Sequence, residues 1–506
     1  MKHILSLFML ISSISVFAAP VPMQTTQDYA DGNRLVINGN KVFISGMNIA
    51  WNSFAHDVGE GQVRIDEFVR QFKQIKNAGG NAVRWWLHTD NEACPKLNSS
   101  GAVTGLGSKT IDNIRQVLDS AYNYGIVVSL TLFSFDLLKN DNNKTASQMD
   151  ANEKFLTVES NLDTYIEKGL KPILAAVGNH PAIMCWEVFN EPEGMSSDAG
   201  GWATRKIEMK HILRFTAKIA AEVHRSTKKM ASTGIHEFGK MKTWYSNAKL
   251  KTASGSNDEL AYLDFYMAHY YPEYIGTSGS PFHNTAASWG MDRPILIGEF
   301  PAQSWGPGTG YNNIQAGTAM TITAAYEYAY NNGYCGLMSW SMTEGDKAKF
   351  GSFSTTEPAL QNLYSKHKAD IEINNSSKPA SSSSNSGGGS SSSITVASSS
   401  SISSSSSRAN SSSATASSSS VSSSSSRASS SSAATSSSSG VSSSSSGASS
   451  SSTGTTPVAS HLTLTASHST AYYSIKGEPL GNEKPQKAGV YIAKQGHSVE
   501  KIVVRE

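Results

Sequence analysis

The chain has 506 residues, and 42 Lys and Arg against 40 Asp and Glu give it a formal net charge of only +2. With no basic cluster, this balance gives no reason to expect a nucleic acid or an anionic membrane surface as partner, and it favours an uncharged or weakly charged substrate. Three cysteines, Cys94, Cys185 and Cys335, make an odd number with no metal-ligand spacing, so we expect neither a disulfide framework nor a metal or other cofactor.

Residues 1–19 have the layout of a secretory signal peptide. An early lysine precedes an apolar run from Ile4 to Phe17, and the small residues Ala18 and Ala19 follow it. The run is too short to span a bilayer, and no other apolar stretch is long enough for a membrane helix. We therefore expect an exported protein. An uncleaved, buried N-terminal helix is the alternative interpretation.

Between residues 27 and 372, apolar strand-like segments alternate with helix-like segments. This alternation predicts an α/β fold, a (β/α)8 barrel, and a doubly wound open sheet is the alternative. No Gly-rich phosphate loop follows the first strand, so a nucleotide-binding fold gains no support. The predicted strands are 41–48, 81–87, 126–133, 182–191, 230–236, 264–271, 294–300 and 335–341.

Three of the intervening stretches have a clear helical period. Residues 111–125 place Ile111, Ile114, Val117, Leu118, Ala121 and Tyr122 on one face, and Gly125 ends the pattern. Residues 205–226 and 312–333 behave likewise. Between the fifth and sixth strands we predict only a weak helix near "NDELAYL", residues 257–263.

Two further segments follow the barrel. Residues 376–455 are runs of serine that cannot build a core and are typical of a flexible linker. Residues 456–506 show the alternation of short strands and a hairpin in "HLTLTAS", "VYIAK" and "KIVVRE". This end, with "GVY" before "KIVVR", resembles the C-terminal sorting tails of the bacterial type IX secretion system, which would imply a secretion-machinery partner and a secreted or cell-surface protein. A truncated carbohydrate-binding module is the alternative.

Polar side chains collect where the predicted strands end, which is where barrel enzymes have their active sites. Each of them has a structural explanation too: a glutamate can cap a helix or close a salt bridge, and a histidine can be buried or bind a metal. No metal-binding spacing joins these histidines. The residues are Asn48, Arg84, His88, Asn190, Glu191, His269, Tyr271, Glu299 and Trp340.

Two of these residues point to a specific chemistry. Glu191 ends the fourth strand and Glu299 the seventh, and these strand ends face each other across a barrel mouth. Glycosidic bond cleavage requires such a pair, one carboxyl to protonate the leaving oxygen and one to meet the oxocarbenium-like carbon. We expect an ionised Glu299 to raise the pKa of Glu191, so that Glu191 keeps its proton until it acts as an acid.

The motifs "WEVFNEPEG", "HYYPE" and "ILIGEFP", in this order, resemble glycoside hydrolase family five, a family of retaining (β/α)8 glycosidases. "VFISGMNIAWNSFAHDVGEG", "NAGGNAVRWWLHTD" and "VTGLGSKTIDN" resemble more narrowly its endo-β-1,4-mannanase branch from bacteria and molluscs. The resemblance covers most of residues 35–345. It implies a mannan endo-1,4-β-mannosidase, EC 3.2.1.78, with a β-mannan polysaccharide as substrate and a monomer as the default state.

The resemblance also implies roles for individual residues. Glu191 matches the acid/base and Glu299 the nucleophile, while Arg84 and Tyr271 match the residues that hydrogen-bond the nucleophile. Asn190 would bind the 2-hydroxyl of the sugar under attack, His269 would line the same subsite, and Trp340 would form its stacking floor.

Neutral sugars are gripped by aromatic rings and hydrogen bonds, so further tryptophans are candidates for lining a cleft: Trp51, Trp85, Trp86 and Trp305. "GEFPAQSW" lacks the Asn or Gln that follows the Phe in some mannanases, which bears on substrate preference. An endo-β-1,4-glucanase of the same family is therefore an alternative function. A secreted carbohydrate-binding protein without catalysis is another, but the retention of the whole catalytic set argues against it.

Overall fold

The structure is a computed structural model that describes residues 21–140 and 144–373, and the backbone of four strands between 471 and 504. The signal peptide and the serine linker predicted from the sequence lie outside the described residues. None of the described helices combines the length and hydropathy that crossing a bilayer requires.

Eight parallel strands form a closed barrel, each paired with the strands that precede and follow it in the chain. The predicted (β/α)8 barrel is thereby confirmed. Every residue of these strands is buried, which explains their nearly continuous apolar sequences. The strands are β1 Ile44–Ala50, β2 Ala82–Thr89, β3 Val127–Ser134, β4 Ile183–Asn190, β5 Met230–Ile235, β6 Tyr266–His269, β7 Ile295–Glu299 and β8 Gly336–Ser339.

Helices cover the outside of the barrel through their apolar faces. In the helix over 110–123, Ile114, Val117, Leu118 and Ala121 are buried as predicted, and Gly125 follows it with a φ of 64°. The helices are α1 Ile65–Asn77, α2 Thr110–Asn123, α3 Ala146–Thr157, α4 Glu159–Tyr165, α5 Lys171–Val177, α6 Met209–Ser226, α7 Phe238–Trp244, α8 Asn247–Ala253, α9 Ile322–Asn331, α10 Lys347–Phe350 and α11 Phe353–Ile371. A π-helical turn, Ile166–Leu170, joins α4 to α5.

Two helix predictions were wrong. Residues 257–263 form a turn, in which the carboxylate of Asp258 accepts the backbone N–H of Leu260 at 3.0 Å, and α7 and α8 occupy this crossover instead. The helix predicted over 312–333 begins only at Ile322, because Gly317 has a φ of 76° and Thr321 caps the helix by accepting the N–H of Ala324.

A three-stranded antiparallel sheet, Tyr29–Asp31, Arg34–Ile37 and Asn40–Val42, packs where the barrel strands begin. Its residues Leu35, Ile37 and Val42 join one apolar cluster with residues that open the strands, such as Ile44 and Ala82. This end of the barrel is therefore filled by apolar side chains, and the opposite end, where the strands finish, holds the polar ones.

A separate antiparallel sheet lies in the C-terminal unit, with the strand order Pro479–Gly481, Ala471–Ser474, Gly489–Gln495 and Ser498–Val504. The last two strands contain the predicted segments "VYIAK" and "KIVVRE" up to Val504, and they pair as a hairpin. The predicted strand "HLTLTAS" lies outside the described residues.

Candidate active site

A cavity of about 1090 Å³ opens at the C-terminal ends of the barrel strands. Both predicted carboxylates, Glu191 and Glu299, line it. A carboxylate oxygen of Glu191 and one of Glu299 lie within 4.8 Å of each other. Carboxyl groups about 5–5.5 Å apart suit a retaining glycosidase, whereas an inverting enzyme keeps its pair about 6.5–9.5 Å apart to admit a water molecule.

The abrupt end of β4 is what presents Glu191 to the cavity. Its φ of 44° puts a non-glycine residue in the left-handed region, and Pro192 follows it. The strained turn is held because the N–H of Glu191 donates to the carbonyl oxygen of Gly234 at 2.7 Å and the N–H of Gly194 donates to that of Glu191 at 2.9 Å.

Arg84, on β2, is the centre of a fully buried polar network. Its Nε and Nη2 donate to the two oxygens of Glu187 at 2.8 and 2.7 Å, and its Nη1 donates to Oε1 of Glu299 at 2.6 Å. Its remaining N–H groups reach Oδ1 of Asn48 at 3.0 Å and Oδ1 of Asn190 at 2.9 Å. All five guanidinium donors are used, so the position of the charge beside Glu299 is fixed.

Two further side chains contact the carboxylate pair, His269 from the last position of β6 and Tyr271 from two residues beyond it. Tyr271 donates its hydroxyl to Oε2 of Glu299 at 2.8 Å. Nδ1 of His269 lies 2.8 Å from Oε1 of Glu191 and 3.6 Å from Oε1 of Glu299. The structure thus brings together Arg84, Asn190, Glu191, His269, Tyr271 and Glu299, as the sequence predicted.

The pKa values of the two carboxyl groups are shifted in opposite directions. Burial raises the pKa of Glu299, against the influence of His269 and Arg84. Burial also acts to raise the pKa of Glu191, but interactions with His236 and His269 outweigh it and lower that pKa. The histidines therefore oppose the protonated Glu191 that we expected from sequence, because that expectation considered only the charge of Glu299.

Three tryptophans form one aromatic wall of the cavity. The ring centroids of Trp51 and Trp86 are 5.1 Å apart, and each lies 5.7 Å from that of Trp340. Nε1 of Trp340 donates to Glu344 at 3.1 Å, which fixes the plane of that indole. Trp51, Trp86 and Trp340, which we predicted to line a cleft, all line this cavity.

Two of the predicted site residues, His88 and Trp305, neither line the cavity nor contact the carboxylate pair or Arg84. His88 is buried beside Phe133 and Tyr165, with ring centroids 5.1 and 5.8 Å away. Trp305 packs against Phe282 and donates its Nε1 to the carbonyl oxygen of Thr318 at 2.6 Å. The further candidate Trp85 is also buried, with its Nε1 3.2 Å from Asp57.

Four residues of the site were missed at the level of sequence. Glu187 binds Arg84, and Gly234 leaves space for these two side chains. His236 lies 3.5 Å from Glu191, and Trp202 lines the cavity. A Cβ atom on Gly234 would lie 2.6 Å from Glu187 and 2.9 Å from Arg84. Two signals were available: Glu187 is charged within an apolar strand, and His236 ends the predicted fifth strand.

Among the described residues, Glu191, His269 and Glu299 could gather around a metal ion. Each is already engaged by another member of the site, and the Arg84 guanidinium 2.6 Å from Glu299 would repel a second cation. The arrangement suits proton transfer and nucleophilic attack better than metal binding.

Comparison with protein-family models gave no match. Among known proteins, the chain is 29% identical over 347 residues to a mannan endo-1,4-beta-mannosidase of Cryptopygus antarcticus, covering 62% of this chain and 84% of the relative. It is 28% identical over 367 residues to a mannan endo-1,4-beta-mannosidase of Mytilus edulis, covering 66% and 93%.

Solved structures of mannanases also resemble this chain. The beta-mannanase from the blue mussel Mytilus edulis matches with a TM-score of 0.58 at 26% identity, over 69% of this chain and 99% of that one. The beta-1,4-mannanase from the sea hare Aplysia kurodai matches with a TM-score of 0.58 at 28% identity, over the same shares. Together with the barrel and the carboxylate pair, these likenesses support a glycoside hydrolase.

Proposed function

We propose that the protein is an endo-β-1,4-mannanase that hydrolyses mannan polysaccharides with retention of configuration. The observation that carries this proposal is the pair Glu191 and Glu299, whose oxygens approach within 4.8 Å at the mouth of the barrel. The substrate class rests on the relatives, which are named as mannanases. We assign the chain to glycoside hydrolase family five on its strand-end motifs.

Glu299 is the nucleophile in this proposal. Its carboxylate attacks the anomeric carbon while Glu191 gives its proton to the departing glycosidic oxygen, and a glycosyl ester on Glu299 results. Glu191 then takes a proton from water, whose oxygen attacks the anomeric carbon and releases Glu299. Arg84 and Tyr271, each bonded to one oxygen of Glu299, orient it and stabilise its charge before attack and after release.

The sugar under attack lies between the aromatic wall and the Arg84 network. Trp340, which lines the cavity and is 7% exposed, stacks against its face, and Asn190, which also lines the cavity, binds its hydroxyls. His269 is fully buried and does not line the cavity, so it acts on the site through Glu191. Arg84 donates a hydrogen bond to Asn190 as well as to Glu299. One side chain therefore positions both the amide that contacts the sugar and the nucleophile. This coupling favours the sugar geometry of the transition state.

The experiment that tests this proposal measures reducing-sugar release by the full chain on galactomannan, glucomannan and carboxymethyl-cellulose, alongside Glu191→Ala and Glu299→Ala. Activity on the mannans that both substitutions abolish supports the proposal. Glu92→Ala is a matched control, because Glu92 also lines the cavity but is about half exposed and pairs with His56. Activity restricted to the cellulose derivative would overturn the substrate, and unchanged activity in either variant would overturn the mechanism.

Azide distinguishes the two roles. With an activated aryl mannoside, azide should rescue Glu191→Ala as the β-mannosyl azide, because the glycosyl ester still forms and azide needs no base. It should rescue Glu299→Ala as the α-azide, since it then replaces the nucleophile. Exchange of these two products would reverse the assignment of the residues.

We also propose that the protein is exported and acts as a monomer outside the cell, since its polymeric substrate cannot enter. The signal-like residues 1–19 and the tail-like residues 456–506 support export. N-terminal sequencing of the extracellular protein tests whether residues 1–19 are removed. Deletion of residues 456–506 tests whether the tail is needed for export, and light scattering tests whether the protein is a monomer. Retention of the intact chain inside the source cell would contradict export.

A further inference from the structure

Trp202 is an aromatic side chain that the proposed mechanism does not use. It lines the same cavity as the carboxylate pair, and 43% of its surface is exposed. A large apolar ring left open to solvent in a cleft is a common sign of a ligand-binding surface. The loop that carries Trp202 follows β4, eleven residues beyond Glu191.

The indole of Trp202 is held by its surroundings. Phe135, at the end of β3, packs edge to face against it with centroids 5.1 Å apart. A Cβ atom at Gly194 would lie 2.8 Å from both Phe135 and Trp202, so the glycine of "WEVFNEPEG" provides the space in which the rings meet. One face of the indole of Trp202 is therefore packed in a fixed position, while its other face is exposed to solvent.

The backbone around Trp202 is also fixed. The N–H of Ala203 donates to the carbonyl oxygen of Gly194 at 2.7 Å, and the N–H of Gly201 donates to that of Ser196 at 2.8 Å. Farther along, the N–H of Met209 donates to Oδ2 of Asp198 at 2.6 Å. These bonds lie within the protein itself, so a sugar that stacks on Trp202 meets a backbone that is already ordered.

His236 connects this ring to the chemistry. Its ring centroid lies 4.6 Å from that of Trp202, and its Nδ1 lies 3.5 Å from Oε1 of Glu191. In the proposed mechanism Glu191 gives its proton to the leaving glycosidic oxygen. Trp202, next to His236 on this side of Glu191, therefore lies on the side of the leaving group.

The order of the strands supports the same placement. Trp86 lies on β2, and Trp51 and Trp340 directly follow β1 and β8; the strands β8, β1 and β2 are consecutive neighbours in the barrel. Trp202 and His236 follow β4 and β5, on the opposite side of the barrel mouth. A glycan that crosses the cavity thus meets the tryptophan wall on one side of the carboxylates and Trp202 on the other.

Building on the proposed function, we propose that Trp202, seated on Phe135 and adjoining Glu191 through His236, is the stacking platform for a sugar ring on the leaving-group side of a neutral β-glycan. Sugar rings present apolar C–H faces that pack on indole, and the ring carries no charge that would conflict with this site. Trp202 is thus a specificity-determining residue for chain cleavage and not a catalytic one.

The test compares two substrates in the full-length enzyme. Mannohexaose places sugars on both sides of the cleaved bond, whereas β-mannobiosyl fluoride has a single atom as its leaving group. We expect Trp202→Ala to lower kcat/KM for mannohexaose about tenfold, the effect of about 1.4 kcal/mol of lost transition-state binding. For the fluoride we expect kcat/KM within about twofold of wild type, because fluoride cannot contact the platform.

Trp202→Phe keeps an aromatic face and should recover part of the mannohexaose activity. Tyr29→Ala is the matched control, since Tyr29 is 48% exposed but lies in the N-terminal sheet, and it should leave both substrates unaffected. Equal losses on both substrates, or no loss on either, would overturn the inference. Failure of the wild-type enzyme to cleave mannohexaose and the fluoride would instead overturn the proposed function.

Discussion

Arg84 and Glu187 form a bidentate ion pair, with distances of 2.8 and 2.7 Å, in which neither side chain has any exposed surface. Ser129 and Thr131 also donate to Glu187, at 3.0 and 2.8 Å. Glu187 does not line the cavity. It holds Arg84 in one orientation and leaves Nη1 to meet Glu299.

Replacing Glu187 with Gln should therefore affect stability as well as activity. The amide would set a donor against Arg84, leaving a buried charge with one anionic partner instead of two. We expect the free energy of unfolding to fall by about 3 kcal/mol. Urea unfolding followed by tryptophan fluorescence measures this change, and kcat should fall because Arg84 is less firmly oriented.

The matched control for this substitution is Glu67→Gln on α1. Glu67 and Arg70 approach to 2.6 Å, as closely as the buried pair, but their side chains are 43% and 56% exposed. Solvent screens an exposed pair, so the free energy of unfolding of this variant should stay close to that of the wild type. Equal losses in both variants would show that burial is not what makes the Arg84 pair important.

Tyr271→Phe should move the acidic limb of the pH profile. The hydroxyl of Tyr271 donates to Oε2 of Glu299, and this bond acts to lower the pKa of Glu299. Without it the pKa rises, and since the nucleophile must be ionised, the acidic limb of kcat/KM should shift to higher pH. We expect kcat to fall about tenfold or more as well. An unchanged acidic limb would contradict this role.

His236→Ala should act on the opposite limb. The interaction with His236 lowers the pKa of Glu191, so removing the imidazole should raise that pKa. Because Glu191 must hold a proton to act as the acid, the alkaline limb of kcat/KM should move to higher pH while the acidic limb moves less. The two variants serve as controls for each other. A common shift of both limbs in either variant would argue for a general disturbance of the site.

The barrel was predictable from sequence because its strands are buried on both faces and therefore read as apolar runs. Glu191 and Glu299 were predictable because they end such runs. Trp202 was not, since only the folded loop places it beside His236.

His88 was predicted to belong to the site because it follows Arg84 and Trp86 at alternate positions on β2, which suggests the same orientation. The strand pairing shifts register between Trp86 and Thr89, and Thr89 has a φ of 56°. This irregularity breaks the alternation at His88, whose side chain packs beside Phe133 instead.

The burial of His88 has a consequence for acid stability. Burial lowers the pKa of His88 from 6.5 to about 3, with a backbone interaction at Cys94 acting in the opposite direction. Above pH 6.5 the imidazole is neutral in the folded and unfolded chains, so its protonation does not affect folding. Between pH 6.5 and about 3 the unfolded chain binds the proton and the folded chain does not. The stability associated with neutral His88 is therefore lost as the pH falls through this window.

His88→Gln removes this titration. We expect the free energy of unfolding of the wild-type protein to fall between pH 6.5 and 4 by up to about 1.4 kcal/mol per pH unit more than that of the variant. Urea titrations at a series of pH values measure both curves, and the difference isolates His88 because the other ionisable groups are common to the two proteins. The variant is expected to be less stable at pH 7, where an amide replaces a fitted ring, so the decisive quantity is the slope. Parallel curves would mean that His88 is protonated in the folded protein and that its pocket admits the charge.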